Sequence, residues 1–176
     1  MNHAPTRMWV LAGTRFACVK ISGRANYSSS IDFRTLLSEL WRKGYTYFVL
    51  DLSECVLMDS TFLGVLAGFG LRMRPDQPGE NDAAIELLNP SARIVELLES
   101  LGVLHLFKLN QGQVPPAEGA ETSVCPNPNP SKTEMRRACL EAHQTLMEIS
   151  PGNVAKFKDL AAFLAEDLKK AARTGA

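Results

Sequence analysis

Residues 45–52, YTYFVLDL, put aromatic and β-branched side chains on both faces of an extended segment. A strand stays dry on both faces only when layers cover both, so the pattern predicts a strand buried between helices in an α/β sheet. The flanking segments supply the remaining elements. Residues 7–22, RMWVLAGTRFACVKIS, are two apolar runs broken at Gly13-Thr14, a hairpin turn. Ser30 or Asp32 is the expected cap of a helix over residues 33–43, with Phe33, Leu36, Leu37, Leu40 and Trp41 on one stripe and Gly44 as its stop. After the buried strand come a helix over TFLGVLAGFGLRM (61–73), a surface loop over 75–82 and a strand over AAIELLN (83–89). A helix over ARIVELLESLG follows, with Ile94, Val95, Leu97, Leu98 and Leu101 inward and Gly102 as its stop, and then a last strand, VLHLFKL (103–109). The order β-β-α-β-α-β-α-β predicts a mixed α/β sheet, an N-terminal hairpin plus mainly parallel strands, flanked by helices.

Past Asn110 the pattern stops. Residues 111–131 hold five prolines and two glycines with few apolar residues, too little to bury for independent order. Ser131 to Glu134 then fits a capping box, ahead of Met135, Ala138, Cys139, Ala142, Leu146 and Ile149 at helical spacing. Ser150-Pro151 opens a second helix with Val154, Phe157, Leu160, Ala161, Leu164 and Leu168 on one stripe. The expected organisation is a domain over 1–110, a Pro-rich linker over 111–131 and a C-terminal two-helix extension over 132–176.

Several functional classes lack a driver. The 19 basic and 19 acidic residues divide evenly on either side of Asn110, so no direct nucleic-acid partner is expected. The uncharged run from Ser60 ends at Leu71, short of the roughly 20 apolar residues of a membrane span, and residues 1–9 lack a signal core. A cytoplasmic protein without membrane insertion is expected. Cys18, Cys55, Cys125 and Cys139 form no C-x-x-C pair and read as free thiols. No metal-ligand spacing and no cofactor motif occurs, so neither metal nor cofactor is expected. An enzyme would need a base for Ser60, and His3, His105 and His143 are expected on a tail, a strand and an exposed helix position. No catalytic residue is therefore expected.

The informative block is residues 49–66, VLDLSECVLMDSTFLGVL, where a buried strand runs through a short apolar step into a helix entered at Met-Asp-Ser. This block resembles the signature of STAS domains, the fold of bacterial anti-sigma factor antagonists. Val19 to Arg24 resembles the family's second strand with its Ser-Gly step, and residues 89–109 resemble its final helix and strand. The resemblance implies a regulatory protein-interaction domain, not an enzyme, with Ser60 as phosphoacceptor and Thr61 as the fallback. It implies that the unphosphorylated form binds an anti-sigma factor that is also a serine kinase, and that a phosphatase resets the switch. Asp59, Ser60, Thr61, Phe62, Gly64, Val65, Gly23, Arg24 and Asn26 are the implied partner-binding positions. Phe62 stands where the family usually has glycine, and Arg24 and Asn26 stand where it usually has acids, so the partner contacts differ.

The residues fit such a switch on physical grounds. A phosphate adds about −1.5 to −2 charge beside Asp59, which repels or desolvates poorly under a packed partner, while the helix N-terminus tolerates the anion. Capping is the competing role for Asp59, Ser60 and Thr61. The helix from Thr61 to Leu71 carries no charge, so both faces need cover. Leu63, Leu66, Ala67 and Gly70 are expected toward the sheet, with Phe62, Val65, Phe69 and Met73 toward a second surface and Gly64 and Gly68 permitting close approach. That cover is a protein partner, a homodimer or, preferred here, the chain's own C-terminal helices. The alternative function is a constitutive STAS scaffold in a signalling or transport complex, with Ser60 unmodified.

Overall fold

The computed structural model describes residues 5–74, 84–116, 119, 122–124 and 129–174. The predicted loop over 75–82, His3 and Cys125 lie outside the described residues. β1 (Arg7–Ala12) and β2 (Phe16–Ala25) pair antiparallel, and the Gly13 N–H closes their turn by donating to the Phe16 carbonyl at 2.9 Å. α1 (Tyr27–Arg42) leads to β3 (Tyr47–Asp51), which returns parallel to β2. β4 (Cys55–Met58) also runs parallel to β2, past a register shift between Gly23 and Arg24. α2 (Ser60–Arg72), β5 (Ile85–Leu88), α3 (Ala92–Ser100) and β6 (Lys108–Asn110) complete the alternation, with β5 parallel to β3 and β6 parallel to β5. The sheet order is β6-β5-β3-β2-β1 with a further short strand, β7 (Thr122–Val124), antiparallel to β1 at the edge. α4 (Lys132–Ile149) and α5 (Gly152–Thr174) form the C-terminal helical pair. The mixed, mainly parallel α/β architecture is the one the element order predicts.

Several boundaries differ for local reasons. α1 starts at Tyr27, ahead of the expected Ser30 or Asp32 cap, because Asn26 accepts from the Ser28 and Ser29 amides while the Ser29 hydroxyl accepts from the Asn26 N–H. This reciprocal box leaves Ser30 inside the helix, where its hydroxyl donates to the Tyr27 carbonyl. The step 55–58, read only as an apolar connection, is β4. The expected last strand is mostly a single 3₁₀ turn over Leu104–Leu106, since Val103 and Leu106 both turn inward and are buried, and only 108–110 pair with the sheet. Within the Pro-rich stretch, Thr122–Val124 does pair, with Val124 packed against the core.

The helices share one face. Ala17, Val19, Ile21, Phe48, Leu50, Ile85 and Leu87 of the sheet form one core with residues of α1, α2, α3 and α4. Burying each large side chain there contributes about 1.5–3 kcal/mol. The opposite face holds a small cluster of Cys18, Val49 and Leu88 under Leu11, Phe16, Tyr47 and Val114, none of them helical. β3 is thus buried on both faces as its composition requires, but the second cover is the chain after β6, not a helix layer. Cross-bonding of the Asn89 side chain with the Gly112 N–H and carbonyl ties that segment down.

Candidate functional site

Parallel pairing brings the ends of β2 and β4 to one edge, where α1 and α2 both begin. Asp59 organises this edge. Its N–H donates to the Ala25 carbonyl at 3.0 Å, one carboxylate oxygen accepts from the Phe62 N–H at 2.8 Å, and the other accepts from the Tyr27 N–H at 2.7 Å. One side chain therefore caps α2 and holds the first residue of α1. Because Asp59 is the cap, Ser60 is the first residue of the helix and its hydroxyl is spared the capping role.

That hydroxyl faces the C-terminal pair. Ser60 Oγ lies 2.9 Å from His143 Nε2 of α4. The other ring nitrogen, Nδ1, lies 2.7 Å from the Cys139 carbonyl oxygen, which can only accept. Nδ1 therefore carries the proton in the neutral ring, and Nε2 accepts from the Ser60 hydroxyl. Thr61, buried, donates to the Cys139 sulfur at 3.4 Å, and that sulfur sits 3.6 Å from His143 Nδ1. The contact with His143 lowers the Cys139 thiol pKa, against the upward effect of burial. Burial alone lowers the His143 pKa, but the contacts with Cys139 and the nearby Asp59 carboxylate outweigh it and the net shift is upward.

His143 corrects an expectation directly. The exposed position predicted for it is 1% exposed, with its ring edge-on to Phe157 of α5 at 4.7 Å. It lies four residues after Cys139, hence on the apolar stripe's own side of α4, and that spacing was the available signal. His105, predicted on a strand, is exposed in the 3₁₀ turn.

The remaining predicted positions divide. Gly23, at φ +80°, donates its N–H to the Glu54 carbonyl at 3.0 Å, and Arg24 is in register with Leu57, so both lie on the edge that leads to Asp59. Asn26 caps α1 on the same edge. Phe62 is fully buried, stacked on Phe33 at 4.5 Å, and Phe69 is buried as well. Val65 does lie on the second surface of α2, as expected, in a stripe with Ser60, Thr61, Gly64 and Gly68. α4 covers it: a Cβ on Gly64 would lie 2.5 Å from the Ala142 carbonyl oxygen. Arg34 of α1 pairs with Glu141 of α4 beside this contact. A cleft of about 430 Å³ remains along the seam, between Arg34, Gly68, Arg72 and Glu148. The turn between α4 and α5 is anchored elsewhere, by Asn153, whose amide donates to the Leu101 and Leu146 carbonyls, both at 2.8 Å. Among the described residues, no helix is long and apolar enough to cross a membrane.

The family model described as STAS domain matches residues 12–113. No curated protein matches the chain. Among solved structures, the anti-sigma factor antagonist SpoIIAA in its unphosphorylated form is similar at 16% identity and a TM-score of 0.44, over 61% of this chain and 89% of that one. The Bacillus cell fate determinant SpoIIAA in its phosphorylated form is similar at 17% identity and a TM-score of 0.44, over 58% of this chain and 89% of that one.

Proposed function

Because the chain belongs to the STAS domain family, we propose that it is a non-enzymatic regulator, an anti-sigma factor antagonist switched by phosphorylation of Ser60. In this reading the unphosphorylated chain binds an anti-sigma factor with serine kinase activity, and a phosphatase restores the binding form. The observation that carries it is the division of labour at the start of α2: Asp59 makes the cap, and Ser60 keeps a hydroxyl with no capping duty. Ser60 is half-buried where Thr61 is 4% exposed, which favours Ser60 as the acceptor. A phosphate there would stand beside the Asp59 carboxylate and add a hydrated dianion to the edge built by Gly23, Arg24 and Asn26. Loss of partner binding follows from repulsion and desolvation at this edge.

Ser60 and His143 have the hydrogen-bond geometry of a nucleophile and its base. The seam cleft between Gly64, Gly68, Arg34 and Arg72 is lined by neither residue. The constitutive scaffold is the second reading, and the His143 contact favours it, since a hydroxyl already bonded has a structural role.

Intact-mass and site mapping of the protein from its own cells, with pull-down by wild type and Ser60→Ala, tests the switch. Phosphate on Ser60 together with loss of a kinase partner from the phosphorylated form is the expected result. Unmodified Ser60 under every growth condition, with the same partners retained by Ser60→Ala, would leave the scaffold.

A further inference from the structure

The face assigned to the partner is occupied. α4 lies across α2 and α1 with Cys139 at Thr61, His143 at Ser60, Ala142 at Gly64 and Glu141 at Arg34. This seat specifies what fits it. At Gly64 the two backbones touch, so an incoming helix needs a small residue there. The residue before it meets the Arg34 guanidinium and favours an acid. The residue after it meets the Ser60 hydroxyl and favours a hydrogen-bonding side chain. Glu141-Ala142-His143 supplies the three in order.

The seat is also one that a helix can leave. The Arg34–Glu141 pair is solvent-exposed at both ends, which gives it little holding power, and the seam beside it is an open cleft. β7 ends at Val124 and α4 begins at Lys132, so α4 can lift with β7 left paired on β1. A helix carried on the same chain competes at an effective concentration on the order of millimolar.

We propose that α4 is a resident competitor for the Ser60 face. The external partner presents an amphipathic helix of the same pattern, an acid, a small residue and a hydrogen-bonding side chain in succession, and enters as α4 leaves. This rests on the reading of that face as the partner surface. Ser60 is then offered to a kinase or partner only in the released state, and occupancy of the face couples the C-terminal helices to the switch.

The test uses the full chain and a fluorescent peptide of residues 129–150 as the probe helix. Gly68→Cys/Thr145→Cys sets two thiols across the α2–α4 seam, where a Cβ on Gly68 would lie 3.8 Å from Thr145 Cγ2, and the disulfide that clamps α4 down is verified by thiol titration before the peptide is added. In Ala142→Glu the seat at Gly64 is blocked for α4 and the chain is opened. The expected result is no peptide binding to the oxidised clamp, detectable binding once it is reduced, and at least tenfold tighter binding to Ala142→Glu than to wild type. Adding Gly64→Leu to Ala142→Glu abolishes it. Equal binding to oxidised and reduced clamp places the peptide elsewhere and overturns the proposal. So does unchanged amide protection of α4 in a folded Ala142→Glu chain, which makes α4 a fixed part of the core. If Ala142→Glu does not fold, the oxidised and reduced clamp decide alone. An unmodified Ser60 in cells would sink the phosphorylation switch and leave the peptide result as it stands, so the two fail separately.

Discussion

Gly64 and Ala142 meet backbone to backbone: a methyl group on Gly64 would lie 2.5 Å from the Ala142 carbonyl oxygen and 2.7 Å from its Cβ. One turn later the helices have diverged, and a methyl on Gly68 would find only Thr145 Cγ2, at 3.8 Å. The crossing of α4 over α2 is therefore tightest at Gly64, close to Ser60.

The two glycines respond with opposite sign to the same substitution. Gly68→Ala gains up to about 1 kcal/mol from helix propensity with no clash. Gly64→Ala gains the same propensity but forces α4 outward, at a cost of about 1–3 kcal/mol for overpacking, and accelerates amide exchange in α4. Urea unfolding of the two variants checks this, and stabilisation of both by the same amount would mean that α4 does not rest on Gly64.

Asn153 ties the far end of the helical pair to the end of α3 through two amide hydrogen bonds. Asn153→Ala strands the Leu101 carbonyl, takes one of two donors from the Leu146 carbonyl, which keeps the Ser150 N–H, and costs about 1–3 kcal/mol. Asn153→Asp costs more, since it removes both donors and sets a carboxylate against two carbonyl oxygens in a site that is 1% exposed. The ranking wild type, Ala, Asp in denaturant midpoint is the check; an Asp variant as stable as the Ala variant contradicts the buried amide's donor role.

The fold was legible because its elements carry strong periods and stops: Gly13, Gly44 and Gly102 end the segments that their positions predict, and the latter two adopt positive φ. Boundaries were less legible where polar side chains compete for the same role, as Asn26 does with Ser30 and Asp32. The edge around Ser60 could be read because its residues are close in sequence or joined by parallel pairing. What covers it could not be placed residue by residue. The α4 stripe announced an apolar face, but which side chain meets Ser60 depends on a helix crossing fixed by Gly64 and Ala142, 78 residues apart in the chain as are Thr61 and Cys139. Phe62 shows the same limit: an uncharged helix does not reveal which aromatic stacks on Phe33 and which small residues face outward.

The His143 shift makes the seat pH-dependent. Its pKa in the folded chain lies above the ordinary value of 6.5, so folding favours the protonated ring. The resulting stabilisation is fully present below pH 6.5 and is lost as pH rises through the folded-state value. Nitrogen-detected NMR titration of the full chain, with His143→Gln as the assignment control, is expected to place its midpoint above 6.5, and wild type should lose its stability margin over His143→Gln as pH rises through it. A midpoint below 6.5 would mean that burial outweighs the contacts with Cys139 and Asp59.

Asp59 gives the sharpest stability contrast at the edge, because one carboxylate serves two helices. An ordinary cap replaced by alanine costs about 1 kcal/mol. Asp59→Ala also gives up the 2.7 Å bond from the Tyr27 N–H, an exposed donor that water can take over, so the expected loss is about 1.5–2.5 kcal/mol. Asp59→Asn keeps a carbonyl oxygen for one amide but turns a donor toward the other, and falls between the two. Amide exchange separates the contributions: the start of α1 at Tyr27 loosens along with the start of α2 although the substitution lies 32 residues away. An Asp59→Ala chain that loses no more than a single cap, with exchange at Tyr27 unchanged, would show that the bond to α1 contributes nothing and that the two helix starts are held independently.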